Sequence, residues 1–229
     1  MKSALFAFAA SSVVLIAACK GESGTTAAPD PAAKSPPVTA VFECEANGEN
    51  FTFTVRTIDD RLALWLPLSF ERPYLAMKQT PAASGSRYES DGVVVWLHGE
   101  EAMLEVDVKR FSACRRDPKA SIWEHAKLGG ADFRATGNEP GWVLEIRERT
   151  IIDLSYDYGA SQIHAEASEP VEDSQSMLTT WEASVDGQPL NLEISAIACT
   201  DTMSGDQFES TVVIYLGDRK LSGCGRPLH

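Results

Sequence analysis

Basic side chains are in short supply in this chain. Its 229 residues hold 20 Lys and Arg against 33 Asp and Glu, a formal net charge of −13. Such a balance lacks the cationic surplus that binds phosphate backbones, which argues against a nucleic-acid partner. Histidine is rarer still: His98, His125, His164 and His229 lie far apart, with no metal-ligand spacing. There is no HExxH, no GxSxG, no CxxC and no glycine-rich phosphate loop. Adjacent acids such as Asp59-Asp60 and Glu100-Glu101 would point to opposite faces of a strand, so they do not form a catalytic pair. A calcium site around Asp201 and Asp206 lacks the EF-hand spacing. These absences give an enzyme little support, a hydrolase being the weakest of the readings left open, and neither a metal nor a cofactor is expected.

Long apolar runs are equally scarce, and one opens the chain. After Met1-Lys2, residues 4–18 are apolar apart from Ser11 and Ser12. The run is too short to span a bilayer and has the form of a secretory signal peptide. It ends Leu15-Ile16-Ala17-Ala18-Cys19, which resembles a bacterial lipobox. Residues 1–18 are therefore expected to be a lipoprotein signal peptide, with Cys19 the lipidation site. Several acyl chains, at roughly 0.8 kcal/mol per buried CH₂, make a firm membrane anchor. Lys20 follows, not the Asp associated with inner-membrane retention. The resemblance thus implies a lipid-anchored protein of the bacterial outer membrane, facing the periplasm or the cell surface. Residues 19–39 are poor in large apolar side chains and rich in Pro, Ala, Gly and Ser, the composition of a flexible tether. Extended, it reaches on the order of 60 Å.

Export places Cys44, Cys114, Cys199 and Cys224 in an oxidising compartment, where an even number suggests disulfides. Three connectivities are open, and spacing favours Cys44 with Cys114 and Cys199 with Cys224. Period-two or short apolar stretches mark strands at 51–56, 62–66, 93–97, 102–108, 142–146, 150–154, 190–194 and 211–216. Asp186-Gly187 and Gly217-Asp218 read as hairpin turns, and one weak helix is expected over 120–128. The expected fold class is all-β: two small antiparallel β domains, each stapled by one disulfide, at 40–118 and 130–229. Acidity belongs to the second. Residues 38–119 carry 13 acids and 10 bases, whereas 130–229 carry 17 acids and 6 bases.

Order and spacing of motifs in the first block carry a family resemblance. Phe42-Glu43-Cys44 is followed by Ser84-Gly85-Ser86-Arg87-Tyr88, by Trp96-Leu97-His98-Gly99-Glu100-Glu101-Ala102, and by Cys114. Over about residues 40–116 this resembles the MliC family, membrane-bound lipoprotein inhibitors of c-type lysozyme. The resemblance implies a small antiparallel barrel, closed by the Cys44–Cys114 pair, whose two loops enter the lysozyme cleft. Lysozyme works with two carboxyls, one an acid and the other a nucleophile. A plug therefore needs donors facing them, which the family supplies as a serine hydroxyl and a lysine ammonium. Carried over, the lysozyme-binding residues are Ser84, Gly85, Arg87, Tyr88 and His98, with His98 where the family has lysine. A histidine charges fully only near or below about pH 6.5, so weaker inhibition at neutral pH is expected. This departure keeps a second reading open: an envelope binding module for a small ligand or cell-wall component, with the inhibitor fold reused. Since c-type lysozymes are basic, the acidic second block is expected to steer the encounter.

The second block has two phrases of its own, residues 133–142 around Asn138-Glu139-Pro140-Gly141-Trp142, and Cys199-Thr200-Asp201 with Gly223-Cys224-Gly225. They resemble an uncharacterised family of bacterial envelope proteins, which brings no activity. Structural staples and tight turns are the expected roles. A Cys199–Cys224 bridge closing that loop would contribute roughly 3 kcal/mol.

Overall fold

Alternation of apolar and polar side chains builds two curved sheets. The computed structural model describes residues 36–46 and 48–229, so the expected signal peptide, Cys19 and most of the tether lie outside the described residues. The first eight strands are β1 (Val38–Ala46), β2 (Glu49–Ile58), β3 (Arg61–Trp65), β4 (Tyr74–Thr80), β5 (Ser86–Ser90), β6 (Val93–His98), β7 (Glu101–Val106) and β8 (Lys109–Asp117). Each pairs antiparallel with the next, and β8 returns to β1, closing a barrel. Val38 and Thr39, expected in the tether, already belong to β1.

The inward positions follow the strand period of two. Phe42, Phe53, Val55, Leu62, Leu64, Met77, Val95 and Leu104 fill the barrel, with the Phe42 and Phe53 rings stacked 5.3 Å apart. Cys44 on β1 faces Cys114 on β8 in register and is bonded to it. The disulfide therefore fastens the first strand to the last at the seam where the sheet closes. The second expected pair, Cys199–Cys224, is also formed.

The stretch expected to separate two domains is a helix, α1 (Pro118–Leu128). Proline at its start and the Asp117 carboxylate, which accepts from the Ala120 amide at 2.9 Å, set its N-terminus. The helix is fixed on both sides. The Val41 amide of β1 donates to Ser121 Oγ at 2.9 Å, and Thr39 Oγ1 lies 3.2 Å from His125 Nδ1. Trp123 and Ala126 pack with Ala131, Leu228 and Phe208 from the later chain.

Eleven further strands follow: β9 (Ala131–Asn138), β10 (Gly141–Arg147), β11 (Ile151–Tyr156), β12 (Ser161–Glu166), β13 (Val171–Asp173), β14 (Leu178–Val185), β15 (Gln188–Ser195), β16 (Cys199–Thr200), β17 (Gln207–Phe208), β18 (Ser210–Leu216) and β19 (Arg219–Pro227). Nine form an antiparallel, half-barrel sheet in the order β12-β11-β10-β9-β19-β18-β15-β14-β13, while β16 and β17 form a small hairpin. Its core is separate from that of the first barrel and gathers Trp142, Leu144, Ile152, Leu154, Leu190, Leu192, Val212 and Ile214. Asp186-Gly187 and Gly217-Asp218 close hairpins as expected, with Val185 opposite Gln188 and Leu216 opposite Arg219. The last strand, β19, lies beside the first, β9, so the sheet is completed only when the C-terminus is in place.

Candidate functional site

Up-and-down topology decides which loops of the first barrel meet. The β2–β3 turn, the β4–β5 loop and the β6–β7 turn all fall at one end, because each follows an even-numbered strand. Ser84 lies in the β4–β5 loop and His98 at the end of β6, and both are exposed. Thus residues 14 apart in sequence share one rim. His98 pairs with Glu101 across a turn at Gly99-Glu100, where Gly99 has a φ of +62°.

The two segments touch. Trp96 Nε1 donates to the Ser84 carbonyl oxygen at 2.7 Å. Gly85 has a φ of +66°, and a Cβ there would stand 2.3 Å from the Leu97 carbonyl oxygen and 3.3 Å from the His98 ring. Only glycine allows the loop to lie this close to β6. Beside the contact is a cleft of about 320 Å³ lined by Ser84, Trp96, His98, Glu101, Met103 and Ser112. A β-bulge between β7 and β8 shapes its far wall: Ala102 pairs with Cys114 and Leu104 with Phe111, so Ser112 and Ala113 oppose Met103 alone.

Of the five expected binding residues, Ser84, Gly85 and His98 come together. Arg87 stands back from them, forming an ion pair with Glu89 and donating to Thr80 Oγ1 at 3.1 Å. Tyr88 faces inward. It is only 4% exposed and packs in the barrel core, because on β5 it points the same way as the inward residues opposite it on β6. Trp96, Met103 and Ser112 were not singled out as site residues. The signal for Trp96 lay in the β6 alternation: Val93 and Val95 face inward, which turns the intervening indole outward.

Two acids of the β6–β7 turn region are paired. Glu100 pairs with Arg116 at 3.5 Å and Glu101 with Arg115 at 3.9 Å, so both carboxylates turn to β8 rather than to His98. Exposed pairs of this kind contribute little stability. Where the two segments meet, the rim presents a serine hydroxyl, an imidazole and a small cleft with a thioether and an indole in its walls.

The two phrases of the later chain also meet. Asn138 Nδ2 donates to Asp201 Oδ2 at 2.9 Å, across 63 residues of sequence. Asp201 Oδ1 accepts the Met203 and Ser204 amides at 2.9 and 2.7 Å. These bonds, the Ser204 amide foremost, hold the Asp201 carboxyl below the usual range. Asp206 pairs with Lys119 of α1, and among the described residues no three ligating side chains cluster as a metal site. Gly137 and Gly223 lie under the Trp142 indole, where an added Cβ would meet ring atoms at 2.1 and 2.6 Å. The recurrence of glycine in these phrases is thus explained by packing.

No curated protein and no solved structure matches the chain. A family model does match: residues 42–110, spanning β1 to the start of β8 and including Ser84, Gly85 and His98, match MliC, the membrane-bound lysozyme-inhibitor of c-type lysozyme.

Proposed function

We propose that the first barrel inhibits c-type lysozyme by placing the Ser84 loop and the His98 turn in its catalytic cleft. One observation carries this reading: within the stretch that matches the inhibitor family, Ser84 and His98 stand exposed on one rim and in contact through Gly85 and Trp96. The Ser84 hydroxyl makes no hydrogen bond among the described residues and is free to donate to a lysozyme carboxylate. The His98 ring donates a second hydrogen bond, and when protonated it adds a charge that strengthens that bond. Together they occupy the space that the scissile sugar linkage would take between the two carboxyls. Tyr88 has no part in the contact, and Arg87 serves to brace β5 against β4.

Inhibition of a c-type lysozyme by the full-length protein tests the reading. Ser84→Ala is expected to raise the inhibition constant about tenfold, the worth of one hydrogen bond to a charged group. His98→Lys is expected to lower it by a similar factor at neutral pH. If both variants inhibit as the unaltered protein does, the cleft mechanism is wrong. The intact chain is the better reagent than a barrel fragment, since Thr39 and Val41 of β1 are buried where α1 packs.

The same proposal places the protein on the outer membrane, held by lipid on Cys19. Its support is the lipobox-like ending of the leader and a family whose description is membrane-bound. Cys19→Ser is expected to move the protein from the membrane fraction to the soluble one. Equal fractionation of the two would end the anchor assignment.

A further inference from the structure

Two flexible loops that must enter a cleft together lose entropy on binding, at roughly 0.5–1.5 kcal/mol for each ordered side chain. The first barrel carries a device that removes much of this loss in advance. Strand β6 presents its outward indole beneath the β4–β5 loop, and Trp96 Nε1 donates to the Ser84 carbonyl oxygen at 2.7 Å. The bond seizes the backbone of the residue whose side chain faces the partner, leaving the Ser84 hydroxyl unspent. The next residue, Gly85, lies so close to β6 that its ideal Cβ position is 2.3 Å from the Leu97 carbonyl oxygen and 3.2 Å from Trp96 Nε1. Leu97 is in turn the residue before His98. Two adjacent residues of the loop are therefore seated on three successive residues of β6, the last of them the second contact residue. The register of β6 is itself held on both sides, with Arg87 opposite Trp96 on β5 and Met103 opposite it on β7.

We propose that Trp96 is the positioning residue of the inhibitory rim: its indole N–H, with Gly85 as the close-approach point, locks the Ser84 loop to the His98 turn so that the two enter lysozyme as one rigid surface. The proposal rests on the inhibitor reading above but does not depend on it for its structural half. Trp96 acts through Ser84 and touches no reacting group. Its contribution is pre-organisation, which shows in how long a complex lasts and in how the free loop moves.

The experiment uses the full-length protein and two measurements. The first is backbone order on the picosecond to nanosecond scale for residues 82–86, with no lysozyme present. Order parameters near the rigid-backbone value of about 0.85 are expected in the unaltered protein, falling below about 0.6 in Trp96→Phe, while the barrel strands stay unchanged. The second is the kinetics of lysozyme binding for Trp96→Phe alone and combined with Ser84→Ala or His98→Ala. Trp96→Phe keeps an aromatic ring on the same face but removes the five-membered ring that carries the N–H, so dissociation is expected to quicken at least about fivefold, the worth of one neutral hydrogen bond. In the Ser84→Ala background most of that effect should vanish, and in the His98→Ala background it should persist. An unchanged loop order parameter, or an identical effect of Trp96→Phe in all backgrounds, would overturn the lock. If Trp96→Phe does not fold, Gly85→Ala carries the same test, since its methyl displaces the loop while leaving the indole in place. Failure of the unaltered protein to bind lysozyme would instead remove the proposed function, with the loop measurement still deciding whether the lock exists.

Discussion

Single side chains in this protein are placed less by their own chemistry than by the backbone groups they find. Asp201 is the clearest case. Its carboxylate caps the turn at Met203-Ser204 and holds Asn138 of a distant strand end, which keeps its charged form favoured in the folded state. A carboxyl depressed by folding adds stability above its unfolded value of about 3.9, and that stability is lost as pH falls through the lower folded value. Asp201→Asn removes the charge and one acceptor oxygen, so it is expected to cost about 2 kcal/mol at pH 7. The gap to the unaltered protein should narrow below about pH 4 as Asp201 takes up its proton. Thermal melts of both proteins from pH 7 to pH 3 check this, and a gap constant with pH would refute it. The same residue-level reasoning separates Tyr88 from Trp96. Both are aromatics in one motif-rich stretch, yet one fills the barrel and the other holds a loop, because strand parity sends them to opposite faces.

At the scale of elements, local pattern and local structure agree closely. Alternation at 51–56 and 102–108 is matched by β2 and β7, and the expected helix over 120–128 is α1, begun two residues earlier at Pro118. Elements without that alternation stayed hidden. Strand β8 (KRFSACRRD) is mostly polar, and its bulge opposite Met103 breaks the period, so only pairing with β7 and β1 makes it a strand. Strand β13 is three exposed residues whose pairing with β14 has no local signature. Helix α1 owes its stability to what it touches, since short isolated helices are marginal in water. The Arg226 and Arg134 guanidiniums lie 4.8 and 5.6 Å from the centre of its Trp123 ring, which also packs against Phe208. On the outer face of the second sheet, Arg134, Glu145, Arg147 and Asp153 form a row of opposite charges across β9 to β11, and His164 Nδ1 of β12 lies 2.7 Å from Asp153 Oδ1. Glu145 and Asp153 face each other in register, and Arg147 bridging both removes the repulsion that like charges would cause there.

Across the whole molecule, the charge and the proposed binding rim lie on different parts. Of the chain's −13, the residues from 130 onward carry 17 acids against 6 bases, while Glu100 and Glu101 beside His98 are paired with arginines. Under the proposed function, long-range attraction to a basic lysozyme would fall to the half-barrel sheet and close fit to the first barrel. Replacing exposed Glu166, Glu182 and Glu209 by Gln is expected to slow association severalfold at low ionic strength and leave dissociation unaltered. The difference should disappear near 1 M salt, where the screening length is about 3 Å. Association rates that match the unaltered protein at every salt concentration would show that the acidic sheet serves some other end.

By itself the sequence determined what local physics can determine. Period-two alternation made the chain all-β, the number and spacing of cysteines selected the two disulfides that form, and a Ser-Gly loop before a Trp-x-His-Gly turn marked the inhibitor-like stretch. Tertiary structure decided what depends on distance between remote residues. Closure of β8 on β1 turned eight strands into a barrel, and pairing of β5 with β6 brought Ser84 and His98 to one rim. Strand parity inside the closed barrel buried Tyr88 and left Trp96 to hold the loop. The insertion of β19 beside β9 set Gly223 and Gly137 under one indole and joined two phrases that the sequence keeps apart. Alternation is written along the chain and can be read there, whereas a contact across a sheet exists only once registry and closure have chosen the partner.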